Sequence, residues 1–215
     1  MKTAIVLGST GLIGSELVRL LTASPDYSSV LLLNRRPSGL SHPKVSEKII
    51  DFDAPDLSGI VGDDLYIAFG TTLRKAGSQA ALQRIDAQYP TAIATGLKKQ
   101  GIKRVFLVSS VGADLKAKAF YIRTKGQLEQ AIIALGFAQT VIARPSFLLG
   151  RTGEFRFGEE AAMFAMKLFS PLMIGSLKKY RAIQANQVAR SLVHAAASES
   201  PGIQLLDYER MQQLK

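Results

Sequence analysis

The sequence predicts an α/β protein: a doubly wound parallel sheet with a small C-terminal helical cap. Three observations carry this. Short β-rich apolar runs alternate with helical patterns through the first two thirds of the chain. The first run leads directly into a glycine turn that opens a helix. Runs such as Val30-Leu31-Leu32-Leu33 are continuously apolar, as strands buried on both faces require. With 215 residues, 47% of them hydrophobic and 20% charged, residues 1–215 are expected to form a single domain, about 150–215 supplying a cap on the substrate side.

Thr3–Leu7 is the first strand. A helix from Leu12 to Thr22 follows, with Ile13, Leu17, Leu20 and Leu21 on one face. Ser29–Asn34, Val45–Ile50, Leu65–Phe69, Arg104–Val108 and Gln139–Ala143 read as strands two to six. The helical stretch before the fifth strand contains Pro90, which either starts a helix capped by Asp86 or kinks a longer one. Gly101 ends it, and Phe120–Leu135 is a further helix. Beyond Gly150, Glu154–Leu168 and Gln187–Ala197 read as helices and the rest as loop. The Met-, Phe- and Leu-rich stretch Met163–Leu177 reads first as core, with a substrate cleft, a dimer contact or a membrane contact as alternatives.

Composition excludes several classes. Without cysteine there is neither a disulfide framework nor a thiolate site, and His42 and His194 stand far apart, so no metal centre is expected. No stretch approaches the ~20 apolar residues of a membrane span. The 27 basic and 17 acidic side chains give a net charge of +10. The basic residues are scattered, and no nucleic-acid-binding motif accompanies them, so the charge reads as a basic surface that attracts anionic small molecules. The expected partner is therefore a small-molecule substrate, with no nucleic acid and no membrane, and a homodimer as the default assembly. In the absence of any address, the expected location is cytoplasmic.

The segment Gly8-Ser9-Thr10-Gly11-Leu12-Ile13-Gly14 carries the chemistry. Glycines at i, i+3 and i+6 between a strand and a helix allow a tight turn, a close approach of pyrophosphate to the backbone, and close helix–sheet packing. The helix N-terminus then offers N–H groups and partial positive charge to phosphates. Where a dinucleotide site for NAD usually places an acid on the ribose hydroxyls, this chain has Asn34-Arg35-Arg36. Guanidinium forks suit a 2′-phosphate, so NADP(H) is favoured over NAD(H). Asp51-Phe52 after the third strand and Gly70-Thr71-Thr72 after the fourth belong to the same cleft, with Lys75 adding charge.

Tyr121 and Lys125 share one face of the Phe120–Leu135 helix. A phenol is a poor acid/base near neutral pH, and an ammonium beside it favours the ionised form, while the same ammonium can hold ribose hydroxyls. Ser109-Ser110 ends the fifth strand, placing a hydroxyl where a substrate carbonyl would be oriented.

Together these features resemble the atypical short-chain dehydrogenases/reductases. The resemblance runs through Gly8-x-x-Gly11-x-x-Gly14, Asn34-Arg35-Arg36, Gly70-Thr71-Thr72, Ser109-Ser110-Val111-Gly112-Ala113-Asp114, Tyr121-x-x-x-Lys125 and Arg144-Pro145. Within the group the chain is most similar to the Tat-interacting-protein-like oxidoreductases and their bacterial relatives. The resemblance implies an NAD(P)-binding Rossmann fold, with Ser110, Tyr121 and Lys125 as the reductase triad and Pro145 in a backbone segment against the nicotinamide. It implies an NADP(H)-dependent oxidoreductase acting on a small carbonyl or alcohol. The alternative is an NmrA-like regulatory protein that senses NADP(H) with little or no turnover. Arg151 and Arg156 are left open between binding an anionic substrate and sitting in solvent.

Overall fold

The computed structural model describes residues 1–149 and 175–214. The expected helix Glu154–Leu168, most of Met163–Leu177, and Arg151 and Arg156 lie outside these residues.

Seven strands form one parallel sheet. In chain order they are β1 (Lys2–Leu7), β2 (Tyr27–Asn34), β3 (Val45–Ile49), β4 (Asp64–Ile67), β5 (Arg104–Val108), β6 (Gln139–Ala143) and, after two short strands β7 (Leu148–Leu149) and β8 (Ile183–Gln184) that pair apart, β9 (Gly202–Leu206). Their spatial order is β3-β2-β1-β4-β5-β6-β9, so the winding reverses between β1 and β4. Leu7 stands level with Leu33 of β2 and Ile67 of β4, and the carboxyl ends of these three strands make one rim.

Side-chain alternation along β1 assigns the two faces. Ala4 and Val6 face α1 (Leu12–Ala23) and α6 (Ala185–Ala197), packing with Leu17, Leu21, Val188 and Leu192. Ile5 and Leu7 face α4 (Tyr89–Lys99) and α5 (Phe120–Ala134), packing with Ile93, Leu97, Leu128 and Ile132. These Ile and Leu side chains are buried, each contributing about 1.5–3 kcal/mol of transfer free energy.

The helical stretch before β5 is longer than one helix and uninterrupted. After α2 (Leu73–Ala76), α3 (Gln79–Gln83) runs into a π-helical turn, Arg84–Gln88, and then into α4, with Pro90 in its first turn. Pro90 therefore lies within a longer helix, just after its π-helical turn, rather than at a free helix start. Asp86 caps nothing, because its carboxylate is turned inward and buried.

The described part of the C-terminal stretch builds onto the sheet itself. Helix α6 completes one helical layer, and β9 extends the sheet beyond β6 in register from Gln139↔Gly202 to Ala143↔Leu206. The β9 segment, read as loop, is a strand at the sheet's edge with Ile203 and Leu205 exposed. A last helix, α7 (Tyr208–Gln213), is capped by the Asp207 carboxylate, which accepts the Arg210 N–H.

The amino edge of the sheet is closed by a buried polar cluster. Arg104 Nη2 and Nε meet the Asp64 carboxylate at 2.6 and 2.5 Å, Tyr27 donates to the same carboxylate, and the Tyr27 and Tyr66 hydroxyls lie 2.9 Å apart. Burial pushes the Asp64 carboxyl up, against the lowering effect of the bonds from Tyr27 and Arg104. Burial, followed by the Asp64 charge, pushes the Tyr27 phenol far above its ordinary value of 10.0.

An unfolded Tyr27 ionises near pH 10.0 while the folded phenol stays protonated. The associated stability is full below that pH and is lost as pH rises further. Urea midpoints from about pH 8 to about pH 11.5 are expected to fall above about pH 10, and less steeply in Tyr27→Phe. Equal slopes in the two proteins would show that the phenol is not shielded.

Candidate active site

The site grows from the carboxyl rim of the sheet. Gly8 takes φ +92°, and a Cβ there would sit 2.8 Å from the backbone of Ala68. A Cβ on Gly14 would lie 1.9 Å from the Gly8 carbonyl oxygen. No side chain caps α1 at Gly11, and no acid stands in its first turn. This N-terminus is open to an anion. Ile13 is buried in the core and Leu12 half-buried, so these two offer main chain more than side chain. Thr10 is exposed at the rim.

Two cavities share the floor formed by Gly11, Ala68, Phe69 and Gly70. The first, about 340 Å³, lies between Gly8–Gly11, the end of β2 from Leu33 to Pro37, and Phe52. Here Asn34 is spoken for: its Oδ1 accepts from Ser9 Oγ at 3.0 Å and its Nδ2 donates to Glu47 Oε1 at 2.6 Å. The Asn34 bond, opposed by a little burial and aided by Ser38, holds the Glu47 carboxyl below its ordinary value. Arg35 and Arg36 are exposed, and among the described residues neither guanidinium has a carboxylate partner. Arg35 lies 5.7 Å from the centre of the buried Phe52 ring, which packs edge-on against Phe69.

Asp51 stands in an adjoining cavity that Arg35 and Arg36 also line. It is exposed there beside Ile49 and Ile50, and its Oδ1 accepts the Asp53 N–H at 2.9 Å. The carboxylate shapes the turn after β3, and the ring of Phe52 is what reaches the first cavity.

The second cavity, about 310 Å³, brings together Gly70, Thr71, Thr72, Lys75, Ser109, Ser110, Tyr121, Lys125 and Pro145. Tyr121 is 38% exposed, while Lys125 is buried, its Nζ 5.8 Å from the Tyr121 ring centre. Gly126 lets α5 reach this position, since a Cβ there would be 2.5 Å from the Asp114 backbone. The loop holding Pro145 is fixed by Arg144 Nε on Glu129 at 2.9 Å and by the Val111 N–H donating to the Pro145 carbonyl at 2.9 Å. Thr72 Oγ1 caps α2 by accepting the Lys75 N–H.

Two residues at this end stand differently from their sequence reading, which carries Ser110 rather than Ser109 into the triad and offers Asp86 only as a helix cap. Ser109 is buried, and its hydroxyl has no hydrogen-bond partner among the described residues, whereas Ser110 Oγ donates to the Val111 carbonyl at 3.4 Å. Asp86 is fully buried, with Oδ1 accepting the Thr71 N–H at 2.6 Å and Oδ2 2.9 Å from Lys125 Nζ. The available signal was an acid in a helix that faces the Gly70–Thr72 loop.

The chain and its fold have known counterparts. Residues 4–196 match the NAD dependent epimerase/dehydratase family. The chain belongs to that family. Membership makes it an NAD(P)-dependent enzyme of the short-chain dehydrogenase/reductase type. Its curated relatives include "Protein FMP52, mitochondrial" of Candida albicans, 39% identical over 159 residues that span 71% of this chain and 69% of the relative. The Coccidioides immitis protein of the same name is 31% identical over 217 residues, spanning 94% and 88%. Among solved structures, "MoeE5 in complex with UDP-glucose and NAD" superposes with a TM-score of 0.70 at 16% identity, covering 97% of this chain and 79% of that one. The human epimerase family protein SDR39U1 with NADPH gives 0.64 at 23%, covering 95% and 74%. These two likenesses concern the fold.

The expected cytoplasmic location is corrected by the curated relatives, which are named mitochondrial. That expectation rested on the absence of an address, and an absence carries no location.

The turn geometry yields a stability prediction for this family member. Gly14→Ala forces a methyl group onto the Gly8 carbonyl and is expected to cost about 3 kcal/mol or more. Denaturant unfolding checks it, and a parent-like midpoint would show that the turn relaxes freely.

Proposed function

We propose that this protein is an NADP(H)-dependent oxidoreductase of the atypical short-chain group, akin to the Tat-interacting-protein-like members, acting on a small carbonyl or alcohol. One observation carries the reading. The two cavities lie side by side over one floor at the open N-terminus of α1, as a trench for an extended dinucleotide requires, one reaching Arg35 and Phe52 and the other Tyr121 and Lys125.

The donor set fits a dinucleotide. The first turn of α1 suits the pyrophosphate, Phe52 offers an apolar wall to the adenine, and Lys125 and the Gly70–Thr72 loop suit the nicotinamide ribose. Fold neighbours carry NAD in one case and NADPH in another, so the NADP(H) preference rests on Arg35 and Arg36, two guanidiniums without a carboxylate partner among the described residues. When bound, the nicotinamide supplies or accepts the hydride.

The chain's own residues handle the proton and the geometry. Tyr121 gives its phenolic proton to the developing alkoxide in reduction and takes it back in oxidation. Lys125 stabilises the phenolate left behind and anchors the ribose hydroxyls. Ser110 holds the carbonyl oxygen, and the Ser109 hydroxyl, without a hydrogen-bond partner among the described residues, is a second donor at the same end.

Calorimetric titration with NADPH and NADH tests the cofactor. NADPH is expected to bind more tightly, and Arg35→Ala to weaken NADPH about tenfold with little effect on NADH. Equal losses for both would remove the 2′-phosphate role, and no binding of either would end the oxidoreductase reading.

Tyr121→Phe is expected to abolish carbonyl reduction in a substrate screen while leaving NADPH affinity within about twofold. Undiminished turnover in that variant would sink the proton role.

A further inference from the structure

Asp86 takes no part in the proton path above, yet no charge at the site is more enclosed. Its side chain has no solvent exposure, and that of Lys125 has 4%. The carboxylate works in two directions: Oδ2 stands 2.9 Å from Lys125 Nζ, and Oδ1 accepts the Thr71 N–H at 2.6 Å. It lies in the π-helical turn Arg84–Gln88, and single π turns within longer helices recur at functional sites. Gly70 leaves room for the pair, since a Cβ there would press to 3.2 Å from Asp86 Oδ2 and 3.4 Å from Lys125 Nζ.

A purely stabilising salt bridge accounts poorly for this arrangement. A buried ion pair adds little over apolar side chains of the same volume, because desolvation offsets the attraction. A lysine that only filled space would carry its ammonium out to water. Here the ammonium is held inward, at the wall of the cavity.

We propose that Asp86 is a positioning residue of the cofactor site. It fixes the Lys125 ammonium and, through the Thr71 amide, ties it to the Gly70–Thr72 loop. Loop and α5 then meet the cofactor as one rigid unit. The inference rests on the reading of Lys125 as a cofactor-holding group.

The test is a double-mutant cycle read by NADPH affinity in the full chain, using Asp86→Asn, Lys125→Met and the double variant. Asparagine keeps an oxygen for the Thr71 amide and removes only the charge. Each single variant is expected to weaken NADPH about tenfold, and the double variant to bind no more weakly than Lys125→Met alone. Additive losses, about a hundredfold in the double variant, would overturn the inference.

Thermal melting gives a second readout. Lys125→Met leaves a buried carboxylate without its partner, so adding Asp86→Asn to it is expected to raise Tm, and a further drop would overturn the pairing. Should Asp86→Asn fail to fold alone, the double variant against Lys125→Met decides: equal NADPH affinity supports the inference and a further tenfold loss overturns it. A parent that binds neither NADPH nor NADH would remove the cofactor reading and this inference together. Additive losses in a parent that binds would remove this inference alone.

Discussion

A Cβ on Gly14 would lie 1.9 Å from the Gly8 carbonyl oxygen, and one on Gly8 would lie 2.8 Å from the Ala68 backbone. Main chain therefore touches main chain on both sides of the first turn. This close approach sets where α1 begins, which brings Leu17 and Leu21 onto the sheet and leaves the first turn of α1 facing the reversal between β1 and β4. The ends of β2, β4 and β5 acquire their chemical meaning from that placement, because each presents its following loop to the same opening. Loosening the turn would shift the trench floor and the helix dipole that points along it.

Two buried ion pairs stand at opposite ends of the strands. At the amino end, Asp64 and Arg104 meet through two short bonds with Tyr27 donating to the same carboxylate. At the carboxyl end, Asp86 and Lys125 make a single contact at the wall of a cavity. The first pair knits the starts of β4 and β5 together. The second connects a loop, a π-helical turn and α5, three elements that the sheet's hydrogen bonds do not join.

Much of this was legible in the chain. β5 and β6 fall at the expected residues, and α1 and β1 within a residue, because each buries a local apolar run whose period identifies it; β3 also falls within a residue although it is an edge strand that buries little. The glycine turn was legible because strand, turn and helix are contiguous. Features set by distant partners were not. β9 is an edge strand whose Gly202-Ile203-Gln204-Leu205-Leu206 pattern becomes a strand only by pairing with β6, 63 residues earlier in the chain. Asp86 is a cap in only one of the two open readings of the Pro90 stretch, and its actual partners lie on another loop and another helix. The local turn that the Asp51 carboxylate makes with the Asp53 amide was not legible either, because such short-range bonds compete at every Asp in a loop. The hydroxyl of Ser109 and that of Ser110 are told apart only by burial, which sequence does not report at that resolution.

Helix α6 covers α1 and the sheet face beneath it, although some 160 residues separate the two helices along the chain. A ribosome delivers α1 long before α6, so the side of α1 that packs on α6 stays uncovered while much of the polypeptide is being made, although Leu17 and Leu21 can already lie on β1 and β2. The opposite layer, from α4 and α5, is delivered earlier and closes over the central strands sooner. Such a molecule emerges one-sided, with a finished face and an oily one. During synthesis that oily face is the natural foothold for a chaperone and the natural starting point for aggregation.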